Sequence, residues 1–514
     1  MARYKPRDQH LSKLLPVSFE AQVLPGSFEY ALNWLIDHEI DLSVFDARFS
    51  NDEQGAPAYD PGVLLKIVLY AYSRGLVSSR AIERACRENV VMMALSGDTQ
   101  PHFTTIASFI STLSAEITQV FRDVLLVCDE QGLIGRQMFA VDGCKLPSNA
   151  AKEWSGTRAD FERKAAKMER AVEYLLSRHR SQDASEQDND LRTRELRQIE
   201  TLTRNSRKLR EWLASNPDDR KGLSGKPVQS NLTDPDSAKM KTAHGVIQGY
   251  TAVSAVDDKH QVVVHAEAFG VGQENALLPQ VLDAAVGNLA VLGDKDPLKG
   301  VAITADAGYH SEDTLQQLAQ RDIDGYVADT NFRLRDPRFA EAYKHKPEEK
   351  RREPGERRSK WFQPKDFDFD PAALTCRCPA GKALKLSARN AVIQGSRAVT
   401  FEGTRELCGR CPLRSKCLRK PDVSAYRQVA FFQGRAYLRY VHTARMKDKI
   451  DSPRGRAIYA RRLGTVEPIF AHLRGRGLHR FTLRRRRKVD VQWKLYCLVH
   501  NIHKIRRYGT IATP

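Results

Sequence analysis

The first 130 residues have the hydrophobic spacing of several short helices in succession. Asp60 and Pro61 stand directly before an apolar run that closes at Gly75, which matches the start and stop signals of a helix. Similar runs, each preceded by Ser or Thr, predict helices over 81–89 and 106–126. We therefore predict a helical N-terminal domain over 1–130, of the helix-turn-helix kind, although any small helical bundle shows the same pattern.

From residue 131 onwards the pattern changes to that of a mixed α/β sheet. Residues 137–142 form a short apolar run that ends in a carboxylate, which is typical of a buried strand. Two apolar, β-branched segments, 244–256 and 260–269, flank a polar turn and predict a hairpin. The run over 298–305 predicts another buried strand. The predicted order is completed by helices over 276–290 and 311–323 and a strand over 324–329.

Two segments interrupt this pattern, and we predict that both are insertions into one core. Residues 151–228 are rich in Arg, Glu, Lys, Ala and Leu, which predicts long, amphipathic, mostly solvated helices. Residues 333–430 are rich in Pro and charge and contain five of the nine Cys, which indicates a separate module. Helical spacing returns over 434–449 and continues to the C-terminus. The core then consists of residues 131–332 and 431–514.

Composition restricts the class of protein further. At 514 residues the chain is long enough for about three or four domains, and a hydrophobic fraction of 41% permits packed cores. The best apolar stretch, 63–72, is too short to span a bilayer and contains Lys66, so we expect no membrane insertion. The N-terminus lacks an apolar signal core, and nine Cys are too few for a secreted disulfide scaffold. We expect a protein of the reducing cytoplasm.

Positive charge exceeds negative charge and is concentrated near the C-terminus. Lys and Arg number 82 and Asp and Glu 63, which gives a net charge of +19. Residues 470–508 hold twelve Lys and Arg and one Asp, and Trp493, Tyr496 and His500 recur there at helical spacing. This combination predicts a folded helix that contacts nucleic acid, with a solvated basic face as the alternative. The predicted DNA-binding residues are Arg474, Arg476, Arg480, Arg484, Arg485, Arg486, Arg487 and Lys488.

Asp142 and Asp306 each end an apolar run of the predicted sheet. Strands hold carboxylates rigidly and Mg²⁺ prefers hard oxygen ligands, so a pair of such acids suits a two-metal phosphoryl-transfer site. Each acid taken alone is more often a turn residue. A third carboxylate is needed to complete a site of this kind.

Five short motifs occur in an order that resembles a known family. They are Val-Asp-Gly at 141–143, Thr-Asp-Pro-Asp-Ser at 233–237, Ile-Gln-Gly-Tyr at 247–250, Ala-Asp-Ala-Gly-Tyr-His at 305–310 and Thr-Val-Glu-Pro-Ile-Phe at 465–470. Together they resemble the DDE transposases of bacterial insertion elements, within the IS-four-like superfamily and its branch called IS-eleven-eighty-two. The resemblance covers nearly the whole chain, including the helical N-terminal region.

The resemblance implies a fold, an activity and its cofactors. The fold is an RNase H-like mixed sheet with helices on both faces, where Asp142, Asp306 and Glu467 are the catalytic acids and hold two Mg²⁺ or Mn²⁺ ions. The activity is cleavage at the terminal inverted repeats of an insertion element and strand transfer into target DNA, without a protein nucleophile. Two DNA ends must meet, so a homodimer or larger assembly at the bacterial nucleoid is expected. The alternatives are an inactive, transposase-derived DNA-binding regulator and a simple nuclease.

The family signature around the last acid is met with two departures. In the superfamily Tyr, Arg, Glu and Lys are separated by two, three and six residues, whereas Tyr459, Arg462, Glu467 and Arg474 are separated by two, four and six. On an ideal helix Arg474 lies about 20° from Glu467 and can contact a phosphate, while Arg462 points about 140° away. Pro468 is expected to kink or start the helix. Tyr459 and Arg462 are predicted auxiliary residues, with packing as the alternative for Tyr459.

Three other motif positions have both a functional and a structural interpretation. Asp236 is either an auxiliary acid near the site or part of an Asx-type turn. Tyr309 and His310 either contact the DNA backbone or pack in the core, next to a glycine that permits a tight turn.

Five Cys of the 333–430 module have spacings typical of a metal site. Cys376 and Cys378 are separated by one residue, and Cys408, Cys411 and Cys417 follow with two and five intervening residues. Tetrahedral Zn²⁺ needs four thiolates, and we predict a structural zinc site made by Cys378, Cys408, Cys411 and Cys417, with Cys376 as a spare or substitute. A redox pair and unliganded Cys are the alternatives. The remaining Cys are predicted to be ordinary core residues, namely Cys86, Cys128, Cys144 and Cys497.

Overall fold

The chain divides into two compact units. The computed structural model describes residues 16–48, 57–182, 189–222, 225, 227–339, 341, 361–393, 396–432 and 441–510. The first unit is discontinuous and takes in Met1–Val327 and Arg454–Pro514, and the second is Ala328–Pro453. The finer division into four segments, made from the sequence, stays a prediction.

The N-terminal part of the first unit is helical, as predicted. Its helices are α1 (Phe28–His38), α2 (Pro61–Ser73), α3 (Ser79–Glu88), α4 (Val90–Ser96), α5 (Phe103–Thr112) and α6 (Ser114–Glu130). The start of α2 follows the expected capping chemistry, because the Asp60 carboxylate accepts a hydrogen bond of 2.6 Å from the Gly62 amide. The single helix predicted over 106–126 is wrong, since the chain breaks at Leu113. The Thr112 hydroxyl donates to the carbonyl of Ser108 beside this break, a side-chain bond that competes with helix continuation.

A mixed six-stranded sheet forms the centre of the first unit. The strands of this unit are β1 (Met138–Pro147), β2 (Ser155–Gly156), β3 (Ser230–Asn231), β4 (Ala238–Thr242), β5 (Gly245–Asp257), β6 (Val263–Phe269), β7 (Ala302–Ala305) and β8 (Asp324–Val327). The order in the sheet is β4-β5-β1-β7-β8, with β6 also paired to β5. β1 is antiparallel to β5 and parallel to β7, and β7 is parallel to β8. The predicted mixed α/β sheet is confirmed, while β4 was not foreseen.

Helices after the hairpin and at the C-terminus complete this unit. They are α9 (Leu278–Leu289), α10 (Glu312–Gln320), α15 (Pro453–Gly475) and α16 (Arg486–Tyr508). Pro453, the first residue of α15, belongs to the second unit. The first three residues of β1 and all four of β7 are buried, so the middle of the sheet is covered on both sides. Among the described helices of the whole chain, none has the length and apolarity needed to cross a bilayer.

The last helix, α16, is a core element, although its sequence suggested a basic surface that contacts nucleic acid. Trp493 and Tyr496 are fully buried, and the Trp493 indole donates a hydrogen bond of 2.9 Å to the carbonyl of Val253 in β5. The Tyr496 ring packs on Tyr72 of α2, with ring centroids 4.8 Å apart. α16 therefore joins the sheet to the N-terminal helices, and the predicted folded helix is confirmed with its aromatic face turned inwards.

His500 of α16 predicts a loss of stability on mild acidification. Burial, aided by the charges of Lys504, Arg476 and His472, lowers the pKa of His500 to about 3, so the folded protein holds it neutral. The unfolded chain takes up a proton below about pH 6.5, so the stabilising contribution is complete above that pH and falls with pH towards 3. Between pH 6.5 and pH 5 the free energy of unfolding of the wild type falls because the unfolded chain takes up this proton. We expect the corresponding fall in His500→Gln to be smaller by about 2 kcal/mol. Urea titrations at both values measure it, with the exposed His479→Gln as control.

The predicted helical insertion is confirmed as a pair of long helices. α7 (Arg158–Gln182) and α8 (Asn189–Ser215) pack along each other. Their small core contains Phe161, Ala165, Leu209 and Leu213. The Arg210 guanidinium binds the Glu169 carboxylate through two hydrogen bonds, of 2.9 and 2.6 Å, which links the two helices at their solvated side.

The second unit is built on a five-stranded antiparallel sheet of order β13-β12-β11-β10-β9. Its strands are β9 (Asp368–Asp370), β10 (Thr375–Arg377), β11 (Ala383–Ile393), β12 (Ser396–Glu402) and β13 (Gln428–Phe432), and its helices are α11 (Phe332–Arg335), α12 (Arg405–Gly409), α13 (Arg414–Cys417) and α14 (Val441–Asp451). Cys376, Val399 and Phe401 lie in its hydrophobic core. Part of the helix predicted over 434–449 coincides with α14, and residues 434–440 lie outside the described residues.

Candidate active site

Asp142 and Asp306 lie side by side at one position along the central sheet. The parallel register pairs Val141 of β1 with Ala305 of β7, and each aspartate is the next residue. β7 ends at Ala305, as predicted for Asp306. Asp142, in contrast, lies inside β1, which continues along β5 as far as Pro147, so the predicted strand end is wrong. The parallel pairing stops there, and this leaves the two carboxylates next to each other at the edge of the β1–β7 pair.

The Asp142 carboxylate is largely buried, and each of its two oxygens accepts a hydrogen bond from the protein. One oxygen accepts a hydrogen bond of 2.8 Å from Arg462 Nη1, and the other accepts one of 2.8 Å from the Gly143 amide. Burial raises the pKa of Asp142 above its usual value, and the negative charge of Asp306 adds to this, while Arg462 opposes it. The two aspartates therefore repel each other in a poorly solvated place, and the guanidinium partly relieves the repulsion.

Helix α15 is one continuous helix, and it supplies the Arg462 guanidinium that contacts Asp142. Pro468 lies inside it, so the expectation that the helix starts at this proline is wrong. Tyr459 and Arg462 are both buried, and burial raises the pKa of Tyr459, with smaller effects from Asp306 and Asp142. Glu467 is exposed, in agreement with a helix that turns Arg462 towards the sheet and places Glu467 about 140° away.

An open cleft of about 940 Å³ brings acids and bases from distant parts of the chain together. Its acidic lining residues are Asp142, Glu274 and Glu467, and its basic ones include Lys145, Lys241 and Arg474. The acids are suited to a hard cation and the bases to a phosphate backbone. The structure thus brings Glu467 and Arg474 to the same cleft as Asp142, despite the long separation in sequence.

Glu274 is a site residue that the sequence did not reveal. A β-carbon built on Gly308 would stand 2.6 Å from Glu274 Oε2 and 3.0 Å from Asp306 Oδ1, so both carboxylates border the same glycine. The pKa of Glu274 is raised to about 7, chiefly by burial; Lys145 opposes the rise, and the charges of Asp306 and Asp142 add to it. Glu274 lies in a polar loop after β6. The signal in the sequence that could have identified it is its position between a predicted strand and a predicted helix, a position that Asp306 also has.

The Tyr309 side chain also lies beside the group of acids formed by Asp142, Asp306 and Glu274. The side chain is fully buried, and its hydroxyl has no hydrogen-bond partner among the residues that the structure describes. A β-carbon built on Gly143 would stand 3.2 Å from this hydroxyl. Burial raises the pKa of Tyr309 well above its usual value, and Glu274, Asp142 and Asp306 all contribute. The hydroxyl therefore faces the group of acids from inside the protein.

The acids fit a divalent cation in kind, although they do not close around one position. Across the described residues, no three His, Cys, Asp or Glu side chains are arranged so that they could hold a metal ion. Carboxylate oxygens are the ligands that Mg²⁺ prefers, and the mutual repulsion of Asp142, Asp306 and Glu274 is what a bound cation relieves. The donor chemistry is therefore right for the metal that the sequence predicted.

The predicted DNA-binding residues are mostly exposed, but several also hold the fold together. Arg474, Arg480 and 484–488 are exposed, whereas Arg476 is partly buried and burial lowers its pKa. The amides of Arg485 and Arg486 donate to the Asp234 and Asp236 carboxylates at 2.9 Å. These bonds fix the start of α16 and give Asp236 a structural role. The guanidiniums of Arg480 and Arg484 also reach Asn149, at 2.9 and 2.7 Å.

Four Cys of the second unit line one small cavity of about 30 Å³. They are Cys378, Cys408, Cys411 and Cys417. Burial raises the pKa of Cys417; Arg427 lowers it, and the other three thiols of this set raise it. Cys376 lies instead on β10 within the hydrophobic core of the sheet. The four thiols that line the cavity match the number that tetrahedral zinc requires, although in the described residues they do not close around one metal position.

Two segments of the chain match models of known protein families. Residues 377–506 match a transposase DDE domain, and residues 17–112 match a transposase domain known as DUF772. The first match contains Glu467 and the four Cys of the cavity, and it begins downstream of Asp142 and Asp306. No curated protein matches the chain. These matches support a DDE transposase and a transposition-related function on DNA, and DDE transposases generally use divalent metal ions.

Proposed function

We propose that this chain is a DDE transposase of the IS-four-like superfamily, in the group called IS-eleven-eighty-two, that cuts DNA at the ends of an insertion element and joins it to target DNA. The observation that carries the proposal is the parallel register of β1 and β7. It sets Asp142 and Asp306 side by side, facing the helix that holds Glu467. The two transposase-family matches support the same function from other parts of the chain.

In this proposal Asp142, Asp306 and Glu467 hold two Mg²⁺ or Mn²⁺ ions. When bound, such ions stabilise the charge that develops on the attacking and leaving oxygens at phosphorus. Arg462 keeps the Asp142 carboxylate in position through its 2.8 Å hydrogen bond and limits its repulsion from Asp306. Arg474 and Lys145 line the same cleft and bind the phosphate backbone of the DNA. No side chain of the protein needs to act as the nucleophile.

The proposed substrates are the terminal inverted repeats of the element and the target DNA. The exposed Arg and Lys of 484–488 extend the positive surface of the first unit and contact DNA backbone. Two ends must be held together during transposition, so the active form is a homodimer or a larger assembly. It works in the cytoplasm of a bacterium, on nucleoid DNA.

The test of this function is a reaction of the full chain with supercoiled plasmid DNA that carries candidate element ends. With Mg²⁺ or Mn²⁺ we expect nicked plasmid and joined products, and with EDTA neither. Nicking without joining would support a simple nuclease. DNA binding with no nicking in either metal would support the inactive regulator and exclude the enzyme.

We further propose that Cys378, Cys408, Cys411 and Cys417 bind one structural Zn²⁺ ion. Their thiols line one cavity, and a zinc ion bound to four thiolates ties together the loops that supply them. Cys376, in the hydrophobic core, is left out of this set.

Metal analysis of the purified protein checks the zinc proposal. We expect about one zinc ion per wild-type chain, and a loss of most of it in Cys408→Ala because three thiolates bind zinc far more weakly than four. Elemental analysis by plasma mass spectrometry measures the content. Cys376→Ala is the matched control and should keep its zinc. A zinc-free wild type, or equal loss in both variants, contradicts this ligand set.

A further inference from the structure

We propose that Glu274 is a fourth carboxylate ligand of the divalent-cation site, next to Asp142 and Asp306. The inference rests on the proposed function, because it concerns the same metal. It adds a residue from the loop before α9, which neither the sequence motifs nor the matched family segments contain.

The position of Glu274 relative to Asp306 is the first observation behind this proposal. The two carboxylates border Gly308, where Glu274 Oε2 and Asp306 Oδ1 lie 2.6 and 3.0 Å from the place of a β-carbon. A β-carbon at 308 would be too close to both oxygens, so the glycine leaves room for them. The two carboxylate oxygens therefore lie close to one position that carries no side chain.

A buried hydroxyl beside this group is the second, independent observation. Tyr309 is completely buried, and its hydroxyl lacks a hydrogen-bond partner within the described residues. Buried polar atoms are almost always satisfied, and a bound ion or water is one of the explanations for an exception. The hydroxyl lies 3.2 Å from the place of a β-carbon on Gly143, the residue next to Asp142, and the charges of Glu274, Asp142 and Asp306 act on it.

The ion pair of Glu274 with Lys145 does not by itself explain a buried carboxylate at this place. Lys145 Nζ lies 3.9 Å from Glu274 Oε1, which is too long for a hydrogen bond. The Glu274 side chain is 11% exposed, and a poorly solvated carboxylate next to two others is stabilised in its charged form by a stronger counter-charge, such as a divalent cation. Glu467, in comparison, is exposed on α15. Glu274 is thus the acid that lies beside the two strand aspartates, and it is well placed to share their cation.

Binding of Mn²⁺ to the full chain, followed by the electron spin resonance of free Mn²⁺, tests the proposal without reference to activity. We expect Glu274→Gln to weaken Mn²⁺ binding at least tenfold, and Glu274→Asp, which keeps the charge, to weaken it less. Asp283 is an exposed acid on α9, the helix that follows the Glu274 loop, so Asp283→Asn is the matched control and should bind Mn²⁺ as the wild type does. Thermal unfolding in EDTA should show Glu274→Gln as stable as the wild type, because the change removes a repelled charge.

The possible outcomes separate this inference from the proposed function. Weaker binding in both Asp142→Asn and Glu274→Gln supports the inference. Weaker binding in Asp142→Asn alone, with wild-type affinity in both Glu274 variants, overturns the fourth ligand and leaves the proposed function intact. A wild-type chain that binds no Mn²⁺ overturns both. A Glu274→Gln protein that unfolds well below the wild type in EDTA, with Glu274→Asp binding Mn²⁺ normally, shows a structural role instead and also overturns the inference.

Discussion

We expect the replacement of Asp142 by Asn to lower the rate of metal-dependent plasmid nicking by about a thousandfold or more. The substitution keeps the size and shape of the side chain but removes a negative charge from the proposed metal site. Loss of one metal ligand removes several kcal/mol of transition-state stabilisation, and each 1.36 kcal/mol corresponds to a factor of ten in rate. The loss should be seen in both Mg²⁺ and Mn²⁺, and the initial rate of conversion of supercoiled to nicked plasmid measures it.

The same variant should bind DNA at least as tightly as the wild type, because it removes a negative charge from a cleft that faces phosphate. Fluorescence anisotropy of a labelled duplex measures this binding. A folding check is required, since Arg462 is 9% exposed and loses its charged partner in this variant. Asp283→Asn, whose carboxylate pairs with Arg321 at the surface, is the control and should nick at the wild-type rate. Nicking by Asp142→Asn at the wild-type rate would contradict the assignment of Asp142 as a catalytic acid.

Replacing Trp493 by Ala lowers the free energy of unfolding by about 3–5 kcal/mol, which is the usual cost of removing a buried Trp. The side chain is fully buried, and its ring stacks on Phe470 of α15. Its loss leaves a cavity and also removes the indole donor from the Val253 carbonyl, which then lies buried without that partner. Urea denaturation followed by circular dichroism measures the change as a lower midpoint.

Tyr508→Ala is the matched control, because it removes an aromatic ring from the end of the same helix. Its side chain is 42% exposed and stacks on His260 at the surface. We expect a change of about 1 kcal/mol or less. Similar losses in the two variants would show that α16 does not anchor the core as described.

Local signals were enough to predict much of the fold. The capping Asp and the proline at the start of α2 act within one turn of the chain, and both do in the structure what their chemistry dictates. The hairpin of β5 and β6 followed from two apolar, β-branched segments around a polar turn, and β7 from a short apolar run. The missed strand, β4, alternates Lys with Ala, Met and Thr at the edge of the sheet. Its pairing with β5 stabilises it, and that pairing is not visible in a five-residue segment.

The site was predictable only where motifs and strand ends carried the information. Asp306 follows β7, whereas Asp142 lies inside the adjacent β1, at the point where the parallel pairing with β7 stops. The adjacency of the two strands is a fact of topology that the order of the elements suggests. Glu274 could not be identified in this way, because its role depends on burial and on neighbours from β1 and β7. The orientation of α15 was likewise open. Helical spacing gives the angle between Arg462 and Glu467, but packing decides that Arg462 faces Asp142.

The basic C-terminal helix shows a further limit of composition. Aromatic residues at helical spacing within a positively charged segment are compatible with a surface that stacks on bases and with a buried face. Contacts with Val253 and Tyr72 decide for the buried face, and these partners are more than two hundred residues away in sequence.

The discontinuity of the first unit affects how the protein is made. Arg462 and Asp142, which are 320 residues apart, meet only after the ribosome has added the whole second unit. The helix that closes the core, α16, is translated later still. A nascent chain released early therefore lacks both a finished interior and the contact between Arg462 and Asp142, so we expect prematurely terminated products to be inert and prone to degradation. If the chain cuts DNA as proposed, it becomes competent to do so only once translation has passed the final helix.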